Sequence, residues 1–204
     1  MSLIEVFFER FISSLALIFE ESKNLASEPL KSPNMLWTLI PLIVGMFILE
    51  IYFGHYKREK LGWSSAVGNS LMLFFVGMNL FSYLFSSGFS IILQKSNLTL
   101  IGPQIVIVKY FIAGFIVFEA ALLFVLNFFH LAPKKFAFGI SSGLFVNFLA
   151  CMGIILVYGN LSLNWTIIPG ILLLFFGLLV FLALLEFIEP KSWRNDDTDD
   201  DDDL

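Results

Sequence analysis

The chain has 204 residues, of which 58% are hydrophobic and 14% charged. An ordinary soluble domain runs near about 45–50% apolar and about 25% charged. Such an excess of apolar side chains cannot be buried in one water-soluble core of this size and calls for lipid as solvent. The composition excludes a soluble enzyme, a nucleic-acid-binding module, a secreted disulfide scaffold and a coiled coil. The formal net charge of −5 averages over two unlike regions. All seven Asp lie in the last nine residues, Asp196, Asp197, Asp199, Asp200, Asp201, Asp202 and Asp203, so the rest of the chain carries +2.

At the N-terminus, Leu3, Ile4, Phe7, Phe8, Phe11, Leu15, Ile18 and Phe19 fall on one helical stripe. Ser2, Glu5, Glu9, Ser13 and Glu20 fall opposite. This amphipathic pattern over residues 2–22 suits a helix lying in a membrane interface or along a bundle. A full span would place Glu5, Glu9 and Arg10 at depth, each unfavourable by about 2.5–3.5 kcal/mol at the centre. Ser27, Pro29 and Pro33 mark a polar break, and residues 1–34 read as helix plus linker.

Five apolar runs follow, near 35–54, 63–86, 105–130, 136–158 and 166–188. Each is long enough to cross a hydrocarbon layer as a helix, and backbone satisfaction inside lipid requires helix. The expected fold class is therefore all-α: a polytopic membrane helix bundle of five transmembrane helices plus the N-terminal amphipathic helix, with residues 35–189 as the transmembrane domain. Pro41 and Pro169 are each placed to kink a span. Residues 190–204 read as a disordered acidic tail, suited to solvation or to binding divalent cations or a basic partner.

Lys57, Arg58 and Lys60 in the first loop, Lys134 and Lys135 in the third, and Lys191 and Arg194 after the last span outnumber Arg10, Lys23, Lys31 and Lys95 on the other side. That bias puts the first and third loops and the C-terminus in the cytoplasm, in what reads as a cell membrane. Trp37, Trp63, Trp165 and Trp193 sit at span edges, as an aromatic belt does. The Asn-x-Ser/Thr sequons at Asn97, Asn160 and Asn164 fall in loops assigned to the opposite side. The Lys57, Arg58 and Lys60 turn is either a charged anchor or a docking patch for anionic lipid or a cytosolic partner.

Ionisable residues inside a span are functional candidates. Lys109, Glu119, Asn127 and His130 share one face of the third span within about 80°, a candidate ion or proton pathway. Glu119 lies near the midpoint. Asn69 and Asn79 in the second span and Asn147 in the fourth are candidate interhelical contacts. Ser65, Asn69, Met72, Val76, Asn79, Tyr83 and Ser86 mark one face of the second span. Gly139 and Gly143 form a small-residue pair in the fourth. Spans three and four should be antiparallel neighbours, with Glu119 close to Asn147. Glu50 and Glu186 sit near the cytoplasmic edge, where they can snorkel or pair with lysines.

The residues offer no catalytic, metal or cofactor motif. Cys151 is the one cysteine, His55 and His130 are 75 residues apart, and no phosphate loop or nucleophile elbow is present. No internal repeat divides the spans into similar halves. Two functions are expected. One is a non-catalytic subunit or assembly partner of a membrane complex, with the lipid bilayer, further copies or other membrane subunits as partners and no nucleic acid. The other is a small oligomeric ion or proton-coupled channel or transporter.

Overall fold

The computed structural model describes residues 3–55, 62–94, 101–159, 161 and 164–188. It is an all-α helix bundle with no strand among the described residues. The helices are α1 (Leu3–Ser27), α2 (Pro33–His55), α3 (Trp63–Gln94), α4 (Ile101–Phe128), α5 (Lys134–Ile140), α6 (Gly143–Tyr158) and α7 (Ile167–Ile188), with a 3₁₀ turn (Glu28–Lys31) between α1 and α2. By length and composition, Trp63–Ser86, Ile105–Phe128, Lys134–Tyr158 and Ile167–Leu185 could each cross a membrane. Glu5–Lys31 and Pro33–Leu49 reach a fifth span only if counted together, and they are bent by 108° at the intervening break.

Helix α6 is the centre. Every residue from Ala150 to Val157 is buried, and α2, α3 and α4 all pack against it. The longest interface joins α3 and α4, while α1 packs mainly on α7. On α3 the buried positions are Ala66, Ser70, Leu73, Gly77, Leu80 and Leu84. On α4 they are Ala113, Ile116, Ala120, Leu123 and Asn127. Both sets alternate in steps of three and four, the 3.5-residue seam of helices that wrap gently around one another. Close approach comes from small residues. A Cβ at Gly77 would lie 2.6 Å from Val117 Cγ2 and 3.3 Å from the Val117 backbone nitrogen. At Gly153 that space is taken by Ile116 Cδ1.

Four expectations are corrected. The run 136–158 is not one helix, because it breaks between Ile140 and Gly143. Ser142 caps the new start, its Oγ accepting from Phe145 N at 3.3 Å. Gly139 and Gly143 are therefore not one ridge: Gly139 has nothing near it, whereas Gly143 lies against Leu49 of α2. The third apolar run stops as helix at Phe128 rather than 130. His130 adopts φ 55°. Leu131 N donates to Leu126 O at 2.9 Å and His130 N to Asn127 O at 3.4 Å, the paired bonds of a left-handed helix stop that glycine usually makes. Pro169 falls in the first turn of α7, where its missing N–H breaks no helical bond.

Lys57, Arg58, Lys60, Lys95, Asn97, Asn160, Lys191, Trp193, Arg194 and the acidic tail lie outside the described residues, as do the side chains of Glu50, His55 and Glu186.

Candidate functional site

The polar residues of the third apolar helix reach three separate places. Lys109 sits near the end of α4 that meets Gly159. Its Nζ donates to Gly159 O at 2.8 Å. Gly159 caps α6, so this bond supplies a donor to a carbonyl at a helix end. A Cβ at Gly159 would come within 2.9 Å of Glu28 Cγ. Glu28 is buried. Its Oε2 accepts from Lys31 Nζ at 2.7 Å, and Glu28 lies close enough to Lys109 to act on its charge. Glu28, Lys31 and Lys109 thus tie the turn between α1 and α2 to α4 and α6. Glu28 was missed in the sequence, where it sits inside a proline-marked linker. The one signal there was its i, i+3 spacing to Lys31.

Asn127 lies at the other end of the same face and is fully buried. Its Nδ2 is 2.7 Å from Ser141 Oγ, 3.0 Å from Ser70 Oγ and 3.3 Å from Ala66 O. Asn69 Nδ2 donates to Ser141 O at 2.7 Å. The break between α5 and α6 frees backbone groups at buried Ser141, and buried backbone groups need partners. Asn69 supplies one from α3 at the Ser141 carbonyl, while Asn127 holds the Ser141 hydroxyl from α4. Asn127 Oδ1 has no partner among the described residues.

His130 is off the helix and turned against Trp63, the first residue of α3, with ring centroids 4.2 Å apart. Trp63 also meets Phe138 at 4.9 Å. These rings close the Lys134 end of the bundle.

Glu119 stands apart. It is half-buried on α4, about 80° from the face of Lys109 and Asn127. Phe115, Phe118 and Leu122 beside it are exposed. No hydrogen bond or ion pair reaches its carboxylate among the described residues. The expected approach to Asn147 is not made. Lys109 is level with Gly159, Ile116 with Gly153 and Asn127 with Ser141. Glu119 is then level with Leu149 and Ala150, nearly a turn from Asn147. Asn147 is buried on the side of α6 shared by Gly143 and Ile154, whose neighbours belong to α2 and α3.

Asn79 is exposed, and its Oδ1 accepts from Tyr158 OH at 3.1 Å. Tyr158 also stacks on Tyr83 with centroids 3.8 Å apart. Asn79 borders an apolar groove of about 560 Å³ between α2 and α3, lined by Pro41, Leu42, Met72, Phe75 and Val76 over Ile154. The face of α3 that carries Asn69, Met72, Val76, Asn79 and Tyr83 is thus its flank toward α6 and this groove, one residue away from the buried seam. Cys151 is buried. Among the described residues no three His, Cys, Asp or Glu side chains come together as metal ligands.

No protein-family model, curated protein or solved structure matches this chain.

Proposed function

We propose that the chain is a non-catalytic, membrane-embedded subunit that assembles with another membrane protein through the Glu119 face of α4. The observation that carries this reading is the division of labour among the polar residues of α4. Lys109, Asn127 and His130 are each engaged by another part of the same chain. Glu119 is engaged by none, and it lies within three residues of the midpoint of Ile105–Phe128. An ionisable group at mid-bilayer is unfavourable by about 2.5–3.5 kcal/mol on insertion scales and is retained where it meets a partner. A neighbouring helix carrying Lys, Arg or an amide donor at that depth would supply it.

A conducting path along α4 has less support. Lys109, Asn127 and His130 are contacts within the chain at three separate places, and the groove beside α3 is apolar. The test is the size and composition of the assembly extracted in mild detergent. Wild type runs as a discrete complex, and Glu119→Gln runs as the isolated bundle with its helicity intact. An assembly indifferent to both Glu119→Gln and Glu119→Leu overturns the reading. So does ion flux through purified wild-type protein in liposomes that Glu119→Gln abolishes.

A further inference from the structure

Helix α1 carries a large apolar face that the bundle leaves uncovered. From Glu5 to Ser13 every residue but Val6 is exposed. Phe7 and Phe8 are 68% and 58% exposed, and Phe11 and Phe19 are uncovered as well. The uncovered stretch 5–13 would be marginal as a helix standing alone in water, so its surroundings must cover that face.

Four observations say what covers it. First, α1 packs on α7, with its closest approach at Gly170. Ser22 Oγ lies 3.1 Å from Gly170 O, and a Cβ at Gly170 would lie 3.4 Å from Leu25 Cδ1 and 3.5 Å from Glu21 Cβ. Gly170 is in the first turn of α7, at the very edge of the apolar segment Ile167–Leu185. Exposed Trp165 lies just beyond that edge, and exposed Trp37 opens α2 nearby in sequence to the turn, the residue type that sits at headgroup level. Secondly, the axis of α1 is bent 108° from that of α2, 18° beyond a right angle. The two helices therefore do not continue one another, and α1 leaves the bundle at the end where the apolar segment of α7 begins. Thirdly, the face of α1 that α7 covers at Ser22 and Leu25 is the face that carries Ile18, Phe11 and Phe7 further out, all within about 60°. Past the edge of α7 that face is still turned to the side on which α7 lies, which is the hydrocarbon. Fourthly, residues 3–27 hold Glu5, Glu9, Glu20 and Glu21 against Arg10 and Lys23, a net charge of −2. Attraction to anionic headgroups therefore cannot hold the helix down, and apolar burial must.

We propose that α1 is an interfacial arm embedded in the bilayer leaflet at the Gly159 end of the bundle. Phe7, Phe11 and Leu15 are sunk below the headgroups, and Glu5, Glu9 and Ser13 are in water. The occupant of the exposed face is zwitterionic lipid at its headgroup–acyl boundary.

The test uses the full chain with Cys151→Ala as background, reconstituted in phosphatidylcholine nanodiscs. Single substitutions Phe7→Cys, Glu9→Cys, Phe11→Cys, Ser13→Cys and Leu15→Cys carry a spin label. Collision with oxygen and with a water-soluble nickel chelate reports depth. Labels at 7, 11 and 15 should share one depth, about 5–10 Å below the headgroups. Labels at 9 and 13 should collide with nickel. Added anionic lipid should leave the pattern unchanged. A depth that changes steadily by about 1.5 Å per residue would make α1 a span and overturn the proposal. Labels shielded from both reagents would mean a protein partner or a second copy, and labels in water on both faces would mean no membrane contact. Either result overturns it, as does a pattern that forms only with anionic lipid.

Discussion

Asn127 reaches from α4 to Ser141 at the break in the fourth apolar stretch, Nδ2 to Oγ at 2.7 Å. The contact joins a fully buried amide to the point where helix geometry fails, and Ser70 of α3 completes the node. Asn127→Leu removes it and leaves Ser141 Oγ without this partner in an apolar surround. Leaving a buried polar group unpaired costs about 1–3 kcal/mol. Unfolding in mixed micelles should show a loss in that range. Asn69→Leu, which strands the Ser141 carbonyl instead, should show a similar loss. A neutral Asn127→Leu would show that the break holds without the node.

The existence of the long helices was legible in the sequence because continuous apolar runs are satisfied as helix. Their packing faces were less legible. In a soluble helix, polar residues mark the face away from the core. Here the exposed faces are as apolar as the core, so polar residues mark flanks and contacts. The marked face of α3 through Met72, Val76 and Asn79 is therefore one residue away from the buried seam through Leu73, Gly77 and Leu80. The break at Ser141 was hidden because Ser-Ser-Gly in an apolar run reads as small residues for close packing. The end of α4 was hidden because His130 stands where a glycine stop would have announced itself. Glu28 was hidden because local sequence cannot tell which linker charge is folded inward.

Gly153 and Ile116 set the spacing of α4 against α6. Ile116 Cδ1 fills the volume in which a Cβ at 153 would stand. Gly153→Ala should therefore overpack this contact, destabilising by about 1–3 kcal/mol. Because the crowding atom is one terminal methyl, adding Ile116→Val should recover most of the loss, although Ile116→Val alone costs about 0.5–1.5 kcal/mol. Gly77→Ala should resist such rescue, since the backbone nitrogen of Val117 lies 3.3 Å from the added carbon. Failure of the pair to recover stability in a double-mutant cycle would show that the gap at 153 is not set by Ile116.

His130 combines a strained backbone with a useful ring. Its φ of 55° is a conformation that costs an L-residue about 1–2 kcal/mol and glycine almost nothing. Its ring rests on Trp63. His130→Ala loses the stacking and keeps the strain, whereas His130→Gly loses the stacking and relieves the strain. The glycine variant should therefore be the more stable of the two by about 1 kcal/mol. Equal stabilities would mean that the turn after α4 opens when the ring is removed.

Lys109 and Glu119 look alike as ionisable residues in one apolar helix, and the structure separates them. Lys109 Nζ is bonded to Gly159 O at 2.8 Å and stands near buried Glu28. Lys109→Met should cost the isolated bundle about 1.5–3 kcal/mol, the range for a hydrogen bond to a charged group. Glu28→Gln added to it should cost less than it does alone, with a coupling of about 0.5–3 kcal/mol for residues in one polar network. Glu119 makes no such bond, so Glu119→Leu should leave the isolated bundle unchanged or more stable, because it removes a carboxylate from an apolar face. Unfolding of the purified chain, measured away from any partner, separates the cases. If Glu119→Leu destabilised the bundle as much as Lys109→Met, Glu119 would be part of this chain's own fold, and the α4 face would lose its claim as an assembly surface.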